Sequence, residues 1–527
     1  MTLIPMQFHL PNMMLATPEM FLLAGACFVL LADLFVKDSQ RFITYLLAQT
    51  VLLVTAGLIL FGTSEMNLII AESFQATGTL SVSAFSDMFM LDPMARVLKI
   101  SILLITVGVF VYSRDYLRSR QMYKGEYFTL GLFAVLGMMI MVSAKTMLLI
   151  YLGLELLSLS MYAMVAFRRN DGRASEAAMK YFVLGAIASG MLLYGMSIIY
   201  GVSGSLHLDH IAAYMKDHPV MQNVGLLLGL SFIIVGLGFK LGIVPFHMWV
   251  PDVYDGSPTA VTLFLGTAPK IAAFAMVIRL LVEGLGDMVQ GWQQILAVLA
   301  ALSLLAGNII AIAQTNIKRM LAYSTISHMG FVVMGILAGS QTGYAASMFY
   351  VITYAIIAMG GFAVVILLSR DGEEADQLDD LKGLSSRHPW YAFMMMLFLF
   401  AMAGVPPTVG FYAKLSVINA VVDAQGANLI WLAVFAVVMS VVGAYYYLRA
   451  IKLMYFDEPD NVNSNVDHTD STSGDYSQSP ALDISVPIKA SWDFNVLLSV
   501  NGLAVLLLGI LPGALMSLCV WAIQASL

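Results

Sequence analysis

One apolar segment of this chain is interrupted by a lysine, a glycine and a proline, in the order Gly236-Leu-Gly-Phe-Lys240-Leu-Gly-Ile-Val-Pro245-Phe-His247. Proline removes a backbone donor and frees a carbonyl group, which a membrane helix tolerates only where protein or water satisfies the exposed groups. A lysine at the centre of such a helix costs about 2.5 to 3.5 kcal/mol on insertion scales. A polar cavity beside a broken helix would meet both requirements, so this stretch predicts a discontinuous membrane helix.

Apolar residues dominate the rest of the chain as well. Hydrophobic residues fill 60% of the 527 positions, charged residues fill 11%, and the mean hydropathy is +0.84. Runs of about 20 apolar residues, enough to cross a hydrocarbon layer of roughly 30 Å, recur from end to end. The sequence therefore predicts an all-α polytopic membrane protein with about 14 transmembrane helices. We place these spans at residues 15–36, 41–62, 87–112, 127–143, 146–167, 175–201, 223–246, 258–282, 290–313, 319–338, 343–369, 389–422, 428–455 and 495–522.

A second interruption, Gly404-Val-Pro-Pro407, lies in the twelfth predicted span, and the first ends the seventh. Because the two are five helices apart and five is odd, two five-helix units would have opposite membrane orientations, as in inverted-repeat transporters. The predicted organisation is an N-terminal three-helix segment, two inverted five-helix repeats with discontinuous helices 7 and 12, an acidic flexible cytoplasmic loop and a C-terminal helix. These parts cover residues 1–126, 127–282, 290–455, 456–494 and 495–527.

Basic residues predict the orientation of the spans. Of the 26 lysines and arginines, 17 fall in loops on one side if the spans alternate, and only Lys145 and Lys216 fall on the other. The positive-inside rule then places both termini on the periplasmic side. Residues 1–18 have neither a basic n-region nor a cleavage site, so no removable signal peptide is predicted.

Cysteine content and loop composition limit the chemistry. The chain has two cysteines, and an all-cysteine iron–sulfur cluster needs four thiolates, so no such cluster is expected on this chain. The polar segment Asp457 to Lys489 predicts a flexible loop without chemistry, and the acidic segment Asp371 to Asp380 predicts a solvated loop. An interface with another subunit is the alternative for the second segment.

Four isolated charges in apolar spans are the main candidates for chemistry. Glu155 lies about nine residues into the fifth span, which is mid-membrane at 1.5 Å per residue. It is either one half of a fixed ion pair or a carboxylate whose proton affinity a movable cation controls. Lys240 precedes the first interruption, Lys270 lies too deep in the eighth span for easy snorkelling, and Lys414 follows the second interruption. We interpret Lys414 as the repeat counterpart of Lys240.

Other polar residues in the spans give weaker signals. Lys180 lies within snorkelling reach of the cytoplasmic face, so structural and functional interpretations both stay open. Histidine titrates near neutrality, which makes His328 a possible proton relay and His247 a weaker one. No metal site is predicted because neither histidine has further ligands nearby. The charged residues at the start of the third span are expected to pair with each other: Asp87, Asp92, Arg96 and Lys99.

The stretch from Lys240 to Asp252, followed by Asp255-Gly-Ser-Pro-Thr-Ala-Val-Thr and Lys270, resembles the antiporter-like membrane subunits of respiratory complex I. The segments from Asn316 to His328 and from Gly404 to Lys414 carry the same resemblance, which covers roughly residues 15–455 and the final helix. It implies a subunit of a proton-pumping NADH:quinone oxidoreductase in the bacterial inner membrane.

The resemblance also implies roles for the candidate residues. Glu155 would pair with Lys240 in the first half-channel, Lys180 and Lys270 would link them across, and Lys414 would lie toward the exit. No cofactor would sit on this chain, since NADH, FMN, iron–sulfur clusters and quinone belong to partner subunits. The expected partners are other membrane-arm subunits, including antiporter-like paralogues and small membrane subunits, and the lipid bilayer; no nucleic acid is expected.

Two alternatives remain open at this point. A membrane subunit of a multi-subunit cation/proton antiporter would share the fold and the pattern of lysines beside broken helices. Sodium dependence would distinguish it from a proton-pumping subunit. A non-conducting structural subunit, in which buried charges only hold helices together, is the second alternative, and it predicts that loss of Lys240 blocks assembly.

Overall fold

Membrane-length helices make up most of the structure, a computed structural model that describes residues 13–78, 80–218, 223–369, 374–424, 429–458 and 490–527. Within these ranges, 13 helical segments are long and apolar enough to cross a membrane. Two shorter apolar helices, Pro389–Ala403 and Val409–Val422, follow each other and supply one more span. The predicted all-α fold with about 14 transmembrane helices is therefore confirmed.

The helices of the first half occur in an order that matches the predicted spans, with additions on the loops. They are α1 (Thr17–Asp33), α2 (Phe42–Phe61), α3 (Ser64–Thr77), α4 (Pro93–Ser119), α5 (Gly125–Val142), α6 (Met147–Val165), α7 (Gly172–Ser203), α8 (Leu208–Asp217), α9 (Val224–Leu241), α10 (Trp249–Gly256), α11 (Thr259–Leu265) and α12 (Ala268–Val277). A short antiparallel hairpin, β1 (Val82–Ala84) and β2 (Phe89–Leu91), precedes α4. Neither the hairpin nor α3 and α8 were predicted.

The second half continues from a π-helical segment, Ile278–Gly284, that extends α12. Its helices are α13 (Val289–Ile312), α14 (Ile317–Leu337), α15 (Gln341–Leu368), α16 (Leu384–Arg387), α17 (Pro389–Ala403), α18 (Val409–Val422), α19 (Ile430–Tyr455), α20 (Trp492–Ile510) and α21 (Gly513–Gln524). The centre of the protein is formed by α12, α14 and α15, whose membrane segments are almost wholly buried.

The first two helices of each predicted repeat pack through glycine. A Cβ atom on Gly137 of α5 would lie 2.7 Å from the carbonyl oxygen of Gly153 on α6. A Cβ atom on Gly307 of α13 would lie 2.8 Å from the backbone nitrogen of Ser327 on α14. Small residues allow this close approach of membrane helices. The matching contacts support the predicted relation between the two five-helix units.

The two predicted interruptions are confirmed as helix breaks with the same backbone geometry. Gly242 has φ +80° and ends α9, and the Ile243 N–H donates to the Gly238 carbonyl at 3.0 Å. Gly404 has φ +85° and ends α17, and the Val405 N–H donates to the Phe400 carbonyl at 3.0 Å. Both are glycine-terminated Schellman motifs, which need a left-handed residue that lacks a Cβ atom.

Two further spans are broken where continuous helices were expected. The eighth span is divided between α11 and α12 at Gly266-Thr-Ala-Pro269, and the last is divided between α20 and α21 at Gly509-Ile-Leu-Pro512. A Cβ atom on Gly509 would lie 2.1 Å from the Pro407 carbonyl oxygen. The C-terminal break therefore packs directly against the second predicted break, and only glycine permits that distance.

The charges at the start of the third span do not pair with each other, contrary to expectation. Asp92 forms an ion pair of 2.8 Å with Arg279 from the π-helical segment, and both side chains are buried. Lys99 forms an ion pair of 2.5 Å with Glu19 of α1, also buried. Each partner comes from a sequence-distant span, so these pairs join α4 to its neighbours.

The acidic segment before α16 is not a solvated loop where the structure describes it. Glu374 is largely buried and accepts hydrogen bonds from the hydroxyl groups of Tyr116 and Thr259. Burial opposes its ionisation, but Lys318 and Arg120, together with these hydroxyl groups, hold the pKa of Glu374 below its ordinary value. Residues 371–373 lie outside the described residues. So does most of the predicted loop from 457 to 489, where only residues 457 and 458 are described.

Candidate functional site

Two lysines meet at the first break. Lys240 lies in the last turn of α9, and its Nζ atom donates to Ser158 Oγ on α6 at 2.6 Å. Lys270, near the start of α12, donates from Nζ to the carbonyl oxygen of Leu241 at 2.9 Å. This is the last helical carbonyl before Gly242, and the missing helical donor beyond it explains why a side chain can bind it.

The same two lysines line one small cavity. Its volume is about 20 Å³, and its wall includes Lys240, Lys270, Tyr181 and Trp249. Most of the other side chains in its wall are apolar, and a cavity of this size has room for about one water molecule beside the two lysines. The ring of Trp249 lies beneath Lys270, with Nζ 5.2 Å from the centre of the ring. Lys240 and Lys270 are thus brought together at the first break.

Glu155 lies close to this cavity but does not contact Lys240 directly. Ser189 Oγ on α7 donates a hydrogen bond to Glu155 Oε1. In the part of the chain that the structure describes, no ion pair within 4.0 Å joins Glu155 and Lys240. Lys240 instead donates to Ser158, which lies about one helical turn beyond Glu155 on α6.

The second break holds a single lysine. Lys414 on α18 donates from Nζ to the Ala403 carbonyl oxygen at 2.9 Å, and it lies over the ring of Phe331 at 5.4 Å from the ring centre. Ala403 immediately precedes Gly404, as Leu241 precedes Gly242. In its hydrogen bond to the last helical carbonyl, Lys414 matches Lys270, whereas Lys240 binds Ser158 instead.

His328 belongs to a buried hydrogen-bonded network in the second half. Its Nδ1 atom lies 2.7 Å from the Tyr350 hydroxyl, and its Nε2 atom lies 3.2 Å from the Tyr447 hydroxyl. Tyr447 in turn binds Ser324 at 2.5 Å. The ring of Phe331, which lies beneath Lys414, stacks on the ring of Tyr350 at 5.6 Å between ring centres, so this network lies beside the second break.

Neither these tyrosines nor Ser158 was predicted from the sequence. Tyr354 adds to the network, since its hydroxyl donates to Thr325 at 2.8 Å and its ring packs 5.1 Å from the ring of His328. A tyrosine in an apolar span is most often a packed aromatic residue whose hydroxyl finds one partner. A signal was present in the several tyrosines of α15 and α19, but sequence alone does not show that they face the same histidine.

Lys180 lies apart from the two breaks. Its side chain is 44% exposed and forms ion pairs with Asp252 at 2.8 Å and Glu176 at 2.9 Å. Arg319 contacts the same aspartate at 3.0 Å. These residues line an open vestibule of about 190 Å³ together with Arg173 and Asp255. Lys180 contacts neither Glu155 nor Lys240, so the link that the resemblance implied between them is not present as a contact.

His247 lies in the irregular segment of the first break and is half-buried. The structure gives it no contact with the lysines. Among the described residues, no group of three or more histidine, cysteine, aspartate or glutamate side chains is placed to hold a metal ion.

A bundle of about 14 membrane helices with lysines at two glycine-terminated breaks defines the class of antiporter-like membrane subunits. Residues 144–440 match the family described as NADH:quinone oxidoreductase/Mrp antiporter, transmembrane. NADH-quinone oxidoreductase subunit N of Thioalkalivibrio sulfidiphilus is 55% identical over 519 residues, which cover 98% of this chain and 100% of the relative. This chain belongs to the NADH-quinone oxidoreductase subunit N family.

Solved structures agree with this assignment. A chain of respiratory complex I from Thermus thermophilus, solved with bound aureothin, is 28% identical with a TM-score of 0.74, over 95% of this chain and 99% of that chain. A chain of the Mrp complex from Dietzia sp. DQ12-45-1b shares the fold, with a TM-score of 0.78 at 20% identity over 97% of this chain and 96% of that chain. The resemblance to complex I subunits is therefore confirmed.

Proposed function

We propose that this chain is a proton-translocating membrane-arm subunit of NADH:quinone oxidoreductase. One observation carries the proposal: a buried lysine donates to the last helical carbonyl at each of two paired breaks, Lys270 at Leu241 and Lys414 at Ala403. A lysine bonded to a neutral carbonyl can lose its proton without leaving a buried counter-charge unpaired. A lysine in a fixed ion pair cannot do so, and such pairs lie elsewhere in the chain, as between Lys99 and Glu19.

The first half-channel consists of Glu155, Lys240 and Lys270. A proton on Glu155 weakens its attraction for Lys240, and a charge on Glu155 strengthens it. Because Lys240 and Lys270 line the same cavity, one water molecule there can carry a proton between them. The path then runs toward Lys414, with His328 and its tyrosine partners as relays.

The energies involved suit such a chain of groups. Moving one charge across the membrane potential takes about 2.3 kcal/mol per 100 mV. A change of one pKa unit corresponds to about 1.36 kcal/mol. A change in hydration or in a neighbouring charge that alters the pKa of a buried group by a few units is therefore sufficient to load and release a proton against the potential.

Partner subunits supply the redox chemistry in this proposal. NADH, FMN, iron–sulfur clusters and quinone would bind there, and other membrane-arm subunits would transmit the change to Glu155 and Lys240. The protein would lie in the bacterial inner membrane with both termini periplasmic. In that orientation the vestibule at Lys180 opens to the cytoplasm, which suits proton uptake.

The test compares three variants in the complete respiratory complex, reconstituted in vesicles. We expect Lys240→Ala and Glu155→Gln to assemble fully and to lose most proton pumping, because each removes a titratable group of the first half-channel. Lys216→Ala changes an exposed lysine of α8 and should pump normally. Normal pumping by assembled Lys240→Ala and Glu155→Gln complexes would exclude the proposed path, and failure of both to assemble would favour the structural alternative.

The fold shared with the Mrp complex chain favours a second candidate, a subunit of a cation/proton antiporter. Pumping by the reconstituted complex should continue in sodium-free buffer if the chain moves protons in a respiratory enzyme. A strict requirement for sodium would favour the antiporter.

A further inference from the structure

We propose that Ser158 is a positioning residue for Lys240, which it holds between Glu155 and Lys270. This inference rests on the proposed function and assigns a role to a side chain outside the chain of titratable groups. The contact itself is short, 2.6 Å from Lys240 Nζ to Ser158 Oγ, and it joins α9 to α6 across 82 residues of sequence. Ser158 is buried, with 1% of its surface exposed.

The hydroxyl of Ser158 can serve both protonation states of Lys240. Its hydrogen is directed to the Leu154 carbonyl at 2.5 Å, which leaves the oxygen free to accept from a charged Lys240. When the lysine is neutral, the hydroxyl can rotate and donate to the nitrogen lone pair. The carbonyl groups that face Lys270 and Lys414 accept hydrogen bonds but cannot donate them. Of the three lysines at the breaks, Lys240 is thus the one with a partner suited to both states.

The position of Ser158 on α6 determines how far Lys240 Nζ must move to reach Glu155. Ser158 lies three residues after Glu155, on the same face of the helix and about 4.5 Å farther along the axis. Rotation about the flexible lysine stem can therefore move Nζ from the serine to the carboxylate. On the other side Lys240 faces the cavity that it shares with Lys270. Ser158 therefore holds Lys240 Nζ between the carboxylate of Glu155 and the cavity shared with Lys270.

The same helix provides a matched control. Ser160 is also buried, and its Oγ donates to the carbonyl four residues earlier, that of Leu156, at 2.8 Å. Ser160 thus shares the helix, the burial and the backbone hydrogen bond of Ser158, but not the contact with Lys240. Ser158→Ala and Ser160→Ala both remove a buried hydroxyl from α6. A difference between the two variants therefore reflects the loss of the contact with Lys240.

The experiment uses the complete complex in sealed vesicles, with assembly measured first and pumping-coupled NADH oxidation measured against pH. We expect Ser158→Ala to assemble, to lower the coupled rate roughly tenfold and to displace its pH profile, because a hydrogen bond to a charged group is lost. Ser158→Thr keeps the hydroxyl and should retain the wild-type profile, as should Ser160→Ala. If Ser158→Ala does not assemble, Ser158→Cys keeps the volume with a much weaker hydrogen bond and should show the same displacement.

A wild-type rate and pH profile in Ser158→Ala, or in Ser158→Cys where alanine does not assemble, would overturn the role of Ser158. An equal loss in Ser160→Ala would do so as well, since it would show a general effect of α6. Glu155→Gln, measured in the same series, separates this inference from the proposed function. If Glu155→Gln abolishes pumping while Ser158→Ala is normal, only the inference on Ser158 fails; if both pump normally, the proposed path fails.

Discussion

The two broken helices end in the same backbone geometry but hold different numbers of charges. At the first break, Lys240 and Lys270 line one cavity of about 20 Å³ and Glu155 lies one turn from Ser158. At the second break, Lys414 alone faces the freed carbonyl. Two like charges that line one cavity repel each other, and the second break lacks such a neighbour among the described residues. The same backbone geometry therefore holds a pair of lysines at the first break and one lysine at the second.

The largest effect should come from Lys414→Gln. Glutamine can still donate to the Ala403 carbonyl, but it cannot carry a proton, and no second lysine lies at this break within the described residues. We expect proton pumping in reconstituted vesicles to fall about a hundredfold, the lower end of the contribution of a positioned acid–base group. Pumping near the wild-type rate would show that Lys414 only satisfies the carbonyl.

Lys270→Gln should have a smaller effect and so separate the two breaks. Lys240 remains in the same cavity and can take over part of the proton transfer. We expect pumping to fall roughly tenfold relative to the wild type, as the loss of one interaction of about 1.4 kcal/mol would produce. If Lys270→Gln and Lys414→Gln are equally inactive, the charge difference between the breaks has no functional consequence.

Stability should respond equally at the two breaks. Lys270→Ala and Lys414→Ala each leave a buried carbonyl without its side-chain donor, and such a group costs about 1 to 3 kcal/mol. The corresponding glutamine variants keep a donor and should unfold at nearly the wild-type temperature. Thermal unfolding of the purified complex, followed for this subunit by limited proteolysis, would measure the difference. A glutamine variant as unstable as its alanine counterpart would show that the carbonyl contact contributes nothing.

Helix breaks could be predicted from sequence because their cause is local. All four breaks carry the spacing Gly-x-x-Pro, which begins at Gly242, Gly266, Gly404 and Gly509. The first and third were predicted because a lysine or a second proline accompanied them. The other two, at Gly266 and Gly509, carried the same signal but were interpreted as parts of continuous spans, although Lys270 directly follows the break at Gly266.

Side-chain partners could not be predicted in the same way. Depth along a helix predicted that Glu155 and Lys270 lie within membrane spans, since depth depends only on distance along the chain. The contact between Lys240 and Ser158 depends on how α6 and α9 are rotated against each other, which hydropathy does not determine. The same holds for Arg279 and Asp92, whose buried pairing replaced the local pairing expected at the start of the third span.

The smallest effect should come from Lys180→Ala, which tests whether the vestibule belongs to either break. Lys180 is 44% exposed, and exposed ion pairs contribute about 0 to 1 kcal/mol, so stability should hardly change. We expect pumping to fall less than about twofold, since Arg319 still contacts Asp252 and keeps the vestibule charged. Lys216→Ala serves as the exposed control. A loss as large as that of Lys270→Gln would place Lys180 within the proton path itself, and the first half-channel would then extend to the vestibule through a third lysine.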